Sequence, residues 1–270
     1  MYMKYEIKKL SPFRVLSING YEAVGAGHNM HALVEMDVTD VRRELREMRR
    51  EGRRVSFFGY ILSAIAKTID ENKEMNLIRK GKKLYCFDEV DIDIPIELEQ
   101  AGEPVPRKYV VRDAASKTPE EITKEVEEAK ASWKETGIVG EEDEWAHRWM
   151  KLASHLPGWL CRFVFRRFSK NVSMIKEHFG TTFVSSVSGF SDVSGFIVPF
   201  FGGQSRPLAF ALGSLTQKPG VVGTEIQIRE FLSMTITINH DLVDGAPAAR
   251  FVNRLKQRIE GKVGDWDFNQ

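Results

Sequence analysis

The sequence predicts one α/β domain built around a largely mixed β-sheet. Three observations predict it. The 270 residues are 42% hydrophobic and 29% charged, which is ordinary globular composition with apolar side chains enough for a sizeable core. Strand-like and helix-like runs interleave along the whole chain. The C-terminal third is dominated by strands that lead directly into a final helix.

Taken in order, residues 31–38 (HALVEMDV) alternate and read as a strand. Thr39 opens a helix with Val41, Leu45 and Met48 as its apolar stripe. Its arginines (Arg42, Arg43, Arg46, Arg49, Arg50) suit a solvated face partnered by Glu44, Glu47 and Glu51 better than a phosphate site. A second helix spans about Phe57 to Glu71, with Ile61, Leu62, Ile65, Ala66 and Ile69 buried. Strand-like runs follow at Lys83–Phe87 and Val90–Leu98. Pro104 and Pro106 are expected to break the pattern before a strand at Lys108–Arg112. Thr118 has the chemistry of an N-cap, with Pro119 at the first helical position and Glu121 three residues on; that helix runs to about Lys134.

Gly137 and Gly140 mark a loop. Trp145, Trp149, Leu152 and Leu156 share a helical face that stops at Pro157-Gly158. The next stretch mixes Trp159, Leu160, Phe163, Val164 and Phe168 with Arg162, Arg166 and Arg167. Strands are then expected at Thr181–Val187, Gly195–Phe200, Ala209–Leu215, Glu225–Arg229 and Phe231–Asn239, before a helix at about Ala246–Glu260.

Composition narrows the function classes. Lys and Arg number 39 against 38 Asp and Glu, a net charge of +1, so no global field points to nucleic acid or an acidic membrane. Two cysteines, Cys86 and Cys161, do not make a disulfide framework. No zinc-ligand spacing and no run of about 18 apolar residues is present. The opening MYMKYEIKKLSPF has no apolar core of a signal peptide. A cytoplasmic protein without metal, nucleic-acid or membrane partner is expected.

The chemistry concentrates at His240-Asp241-Leu242-Val243-Asp244-Gly245. Met234, Ile236 and Ile238 point to one side of the preceding strand, Thr235, Thr237 and Asn239 to the other. Ala248, Val252, Leu255 and Ile259 then form the buried stripe of the following helix. His240 thus stands where a strand stops and a helix starts, a rigid place for an imidazole able to abstract a proton near neutral pH. Asp244 also has a plain structural role, capping the helix while Gly245 permits the turn.

The stretch MTITINHDLVDGAPAARFVNRLKQRIE resembles the C-terminal end of the catalytic cores of dihydrolipoyl acyltransferases of 2-oxoacid dehydrogenase complexes. Chloramphenicol acetyltransferase, of the same fold family, shares the His-x-x-x-Asp-Gly signature. HALVEMDVTDVRRELREMRREGRRVSFFGYILSAIAKTIDENKEMN resembles the family's strand, helix and second helix. FDEVDIDIPIELEQAGEPVPRKYVVRDAASKTPEEITKEVEEAK is similar to its next strands and helix, and GTTFVSSVSGF to its Gly-Thr-Phe…Ser segment. The segments are collinear and cover most of the chain.

The resemblance implies a chloramphenicol-acetyltransferase-like two-layer sandwich with a mixed sheet, in a homotrimer with active sites between subunits. Coenzyme A would be the cosubstrate, and a small-molecule or lipoyl group the acyl acceptor. His240 would be the general base. Ser185 of the neighbouring subunit would stabilise the tetrahedral oxyanion, or Ser186 if the register slips by one; the bland alternative is two ordinary strand serines. Asp244 would be a support, pairing with an N-terminal arginine for which LSPFR offers Arg14, itself equally readable as a surface arginine. The sequence departs from the family at Asn239 and Asp241. No lipoyl-bearing segment precedes the matched core, so a lipoyl arm borrowed from another protein or a free acceptor is expected; GKVGDWDFNQ lacks the apolar tail that ties trimers into large cores, so a free trimer is expected. Residues 1–270 are expected to be one acyltransferase domain with a helical insertion at about 135–178. That insertion would be a hairpin packed on the trimer, a lid over the acceptor channel, or an in-plane amphipathic helix at Trp159–Lys170. A non-catalytic trimeric scaffold is the competing function.

Overall fold

The computed structural model describes residues 10–25, 27–100, 103–136, 152–153, 155–187, 195–199 and 206–263. Their elements are α1 (Pro12–Val24), β1 (Asn29–Asp37), α2 (Thr39–Arg50), α3 (Phe57–Asp70), β2 (Leu77–Lys80), β3 (Lys83–Cys86), β4 (Ile92–Gln100) and β5 (Glu103–Val111). The second half adds α4 (Pro119–Thr136), α5 (Gly158–Phe168), α6 (Val172–Phe179), β6 (Thr182–Ser186), β7 (Leu208–Val222), β8 (Glu225–Asn239) and α7 (Gly245–Glu260).

Six strands form one mixed sheet in the order β1-β8-β7-β6-β4-β5, and β2 pairs with β3 in a separate ribbon. β6 runs parallel to both its neighbours; the other pairs are antiparallel. One sheet face carries Ile92, Ile94, Phe210, Met234, Ile236 and Ile238, which join a core with Val41, Leu45, Ile61, Ile65, Phe251 and Leu255 of the helices. This is the two-layer α/β sandwich with a mixed sheet.

Local chemistry explains the helix starts. Ser56 accepts a bond from the Gly59 amide at 2.9 Å and so caps α3. Thr118 and Glu121 form a reciprocal capping box at α4, with the Thr118 amide 2.8 Å from Glu121 Oε2 and the Glu121 amide 3.2 Å from Thr118 Oγ1. Gly180 separates α6 from β6 at φ +60°, and a Cβ there would stand 2.5 Å from the Asp91 carbonyl, so only glycine lets β6 enter the sheet here.

The structure corrects several expectations. Pro104 and Pro106 lie inside β5 rather than before it. β5 is an edge strand, where a missing N–H costs no ladder bond. The runs expected at Glu225–Arg229 and Phe231–Asn239 are one continuous strand, which with β7 makes a long hairpin. Gly195–Pro199 joins no ladder; the Gly195 amide instead donates to Ser214 Oγ, at the irregularity in β7. Two of the α2 arginines reach beyond their own helix, Arg42 and Arg46 meeting Glu230, while Arg43 pairs within it with Asp40. α1 and β2 are elements that the sequence pattern does not predict. Both cysteines are free, Cys86 exposed and Cys161 buried.

Among the described residues, apolar surface stays uncovered at the hairpin end and on α5, among other places. Val221, Ile226 and Ile228, on one face of the far end of the β7–β8 hairpin, are each at least 76% exposed. Trp159, Phe163 and Val164 of α5 are also exposed, while Cys161 is buried and α5 packs on α1. Leu152 and Leu156 are exposed, and Trp145 and Trp149 lie outside the described residues. Among the described residues no helix is long and apolar enough to cross a membrane.

Candidate active site

β8 delivers His240 to one end of the sheet. The ladder with β1 ends at Asn29↔Asn239, so His240 is the first residue beyond it. Its backbone is still fixed, because its amide donates to the His28 carbonyl at 2.7 Å. Asn239 is fully buried and organises the turn. Its Oδ1 accepts the Asp241 amide at 2.9 Å, and its carbonyl accepts the Leu242 and Val243 amides. The His240 residue itself is exposed. The result is a rigid backbone presenting an accessible imidazole.

Asp244 occupies the N-cap position of α7, with extended backbone angles. Its side chain makes no capping bond; only its carbonyl enters the helix, accepting the Ala248 amide. The expected side-chain cap is therefore absent. Gly245 has no left-handed φ, and a Cβ added there meets nothing within 4 Å, so the turn does not need glycine within this chain. Arg14 sits exposed in α1, its amide on the Ser11 cap. Among the described residues no ion pair joins Arg14 to Asp244.

The serines sit on opposite sheet faces. Ser186 pairs with Leu212, whose partner is Met234, on the core side. Ser185 pairs with Ala211, whose partner is Thr235, on the polar side. Along β8 that polar side is closed, since Thr235, Thr237 and Asn239 have no exposed surface, whereas Ser185 on β6 is only half-buried. Ser185 is far from His240 of its own chain. Thr235 is five residues from the histidine, roughly 17 Å along the strand, and Ser185 lies two strands over, roughly 10 Å more across the sheet. The two cannot act together in one protomer.

Sequence reading missed the groups next to the motif. His28 Nδ1 lies 2.8 Å from Asp241 Oδ1, and an Arg79 guanidinium nitrogen lies 3.5 Å from Asp241 Oδ2. The bond from His28 holds the Asp241 carboxyl below the ordinary range, against slight desolvation and with help from the charges of His28, Arg79 and His240. His31 Nδ1 meets Thr237 Oγ1 at 3.0 Å on the polar face. No spacing rule could have found these contacts, since 213 residues separate His28 from Asp241.

The described cavities lie elsewhere. Three open around α2, lined among others by Glu44, Arg46, Arg49, Arg53 and Val263. Val263 follows the C-terminal end of α7, whose Glu260 bonds the Asp37 amide at the far end of β1 from His240. Among the described residues no group of three or more His, Cys, Asp or Glu is arranged to hold a metal.

A model of the family "2-oxoacid dehydrogenases acyltransferase (catalytic domain)" matches residues 207–264. The chain is 39% identical over 48 residues to the dihydrolipoyllysine-residue acetyltransferase component of pyruvate dehydrogenase complex of Acholeplasma laidlawii, 18% of this chain and 9% of that protein. It is 24% identical over 237 residues to the lipoamide acyltransferase component of branched-chain alpha-keto acid dehydrogenase complex of Bacillus subtilis, 84% of this chain and 46% of that protein. The chain thus spans less than half the length of either relative. Among solved structures, a probable dihydrolipoamide acetyltransferase from Listeria monocytogenes superposes with TM-score 0.68 at 18% identity, covering 95% of this chain and 94% of that one. The dihydrolipoamide acetyltransferase of Azotobacter vinelandii gives 0.67 at 15%, covering 94% and 92%. A chloramphenicol acetyltransferase gives 0.51 at 11%, covering 96% and 100%. The solved structures show the chloramphenicol-acetyltransferase-like fold, and the family model and the two relatives show similarity to 2-oxoacid dehydrogenase acyltransferases, the model over the C-terminal stretch.

Proposed function

We propose that this chain is a coenzyme A-dependent acyltransferase that works as a homotrimer, with His240 as general base at a site shared between copies. The observation that carries the reading is the position of His240. It projects exposed from a backbone fixed at the strand end, within the stretch that matches the acyltransferase family. His240 takes the proton of the acceptor thiol, hydroxyl or amine. The freed nucleophile attacks the thioester carbonyl, and the departing coenzyme A thiolate recovers the proton from the imidazolium.

Ser185 completes the site from a second copy. Its face and its separation from His240 in one chain suit a hydroxyl donated across an interface to the oxygen that gains charge. The open space beside Gly245 and the uncovered apolar hairpin face fit approach of such a copy. When bound, acyl-coenzyme A would supply an activated thioester; His240 is the residue that would face its sulfur. Asp244 supports the site rather than moving protons. The Azotobacter vinelandii structure addresses a serine, a histidine and an asparagine four residues after it in that enzyme's catalytic mechanism; Asp244 stands at the same spacing from His240. We further read residues 1–270 as one catalytic domain, with α5 and α6 belonging to a helical insertion at about 135–178.

The test is release of free thiol from acetyl-coenzyme A in the presence of dihydrolipoamide and a panel of small acceptors, comparing wild type with His240→Ala. The proposal expects a fall of at least about a hundredfold. Equal rates would remove His240 as the base. Binding of coenzyme A without turnover on any acceptor would favour the non-catalytic scaffold.

A further inference from the structure

We propose that Asp241 is a positioning residue for His240, clamping the turn that carries it through His28 and Arg79. The inference rests on the acyltransferase reading, because it assigns a role at the same site. His240 lies beyond the last ladder pair, so β-pairing no longer fixes it on the β1 side. Two contacts with one neighbouring residue replace that pairing. The His28 carbonyl accepts the His240 amide, and the His28 ring meets the Asp241 carboxylate at 2.8 Å. Arg79, from β2 in the separate ribbon, approaches the second carboxylate oxygen at 3.5 Å. Asp241 thus gathers three parts of the chain around the catalytic turn.

The chemistry of the contact fixes its direction. A carboxylate only accepts, so His28 Nδ1 carries the hydrogen and donates. The charged or titratable groups facing Asp241 are His28, Arg79 and His240. The His28 side chain is 86% exposed, and exposed ion pairs contribute little to folding. A general base, however, must be held to within about half an ångström. The clamp therefore bears on geometry far more than on stability, and this separates it from a merely structural pair.

The test uses the full chain and four variants, Asp241→Ala, Asp241→Asn, His28→Ala and the double variant His28→Ala/Asp241→Ala, with acetyl-coenzyme A and dihydrolipoamide as probes. Asp241→Ala is expected to lower kcat about tenfold, leave KM for acetyl-coenzyme A within about twofold, and leave the melting temperature unchanged. Asp241→Asn keeps an oxygen that accepts from His28 and is expected to restore most of kcat. The double variant His28→Ala/Asp241→Ala is expected to be no slower than Asp241→Ala. Hydrogen exchange at the His240 and Asp241 amides should accelerate in Asp241→Ala and not in Asp241→Asn. Wild-type kcat and exchange in Asp241→Ala would overturn the clamp, as would a loss of kcat that only follows loss of folded protein. If wild type itself turns over neither probe, the acyltransferase reading fails separately, and the exchange rates alone decide the clamp.

Discussion

Replacing Asp244 by alanine separates its two roles, and a second helix supplies the comparison. Ser56 heads α3 with a side-chain cap: it accepts the Gly59 amide at 2.9 Å and meets Thr123 Oγ1 at 3.1 Å. Ser56→Ala leaves that amide without its cap, a cost of about 1.5–2 kcal/mol, while Thr123 Oγ1 keeps the Ser56 amide and the Pro119 carbonyl as partners. Asp244 heads α7 from the same kind of position but makes no such bond, and it is exposed. Removing it sacrifices only a screened interaction of its charge with the helix dipole, about 0.3 kcal/mol. With a urea slope of about 3 kcal/mol/M, the unfolding midpoints shift by about 0.1 M for Asp244→Ala and about 0.5–0.7 M for Ser56→Ala. Both are measured at one protein concentration, because assembly stabilises by mass action. A loss of acyl transfer in Asp244→Ala beyond that small shift marks a role in the site. Equal midpoint shifts for the two variants would refute the reasoning, since they would make Asp244 a working cap.

Phe251→Ala is expected to destabilise by about 4 kcal/mol in urea titration, because the ring is fully buried and stands 6.3 Å from Phe210, tying the helix after the motif to the sheet. Gly245→Ala is expected to keep stability within about 0.5 kcal/mol, since the new methyl meets open space, while acyl transfer falls if another molecule closes on that face; circular-dichroism melts and thiol release read the two effects. The acid limb of stability depends on Arg229, which bonds Asp37 at 2.7 Å and Asp40 at 2.6 Å. Its hydrogen bond holds the Asp40 carboxyl low, and at Asp37 bonds from Arg229 and Thr39 outweigh a larger effect of burial in the other direction. Carboxyls depressed in the fold contribute stability above the unfolded pKa and lose it as pH falls, so wild type should weaken below about pH 4 more steeply than Arg229→Met, as followed by urea midpoints against pH.

Much of this fold was legible because periodicity reports burial directly. The stripe Val41, Leu45, Met48 is buried as its spacing required, and Ala248, Leu255 and Ile259 hold α7 on the sheet. Thr118, Pro119 and Glu121 announced a helix start through short-range chemistry that needs no tertiary context. The failures share one cause. Pro104 and Pro106 break an inner strand but not an edge strand, and edge position is a property of the assembled sheet. β2 is four residues long and exists only as the partner of β3. Alternation along β8 put Thr235, Thr237 and Asn239 on one side, but their full burial is a property of the assembled sheet. At the site, the motif located His240, whereas His28 and Arg79 came only with the fold, since no local pattern joins them to Asp241.

The central claim, a site shared between copies, is most directly tested by mixing two inactive chains. His240→Ala and Ser185→Ala chains carrying different tags are co-expressed in equal amounts, and doubly tagged assemblies are assayed for thiol release. If His240 works with Ser185 of another copy, one of the three sites in each doubly tagged trimer regains both residues, and activity returns to about a third of wild type. Mixed assemblies no more active than the separate variants would contradict the account, because they would place both residues in one chain or remove Ser185 from the reaction.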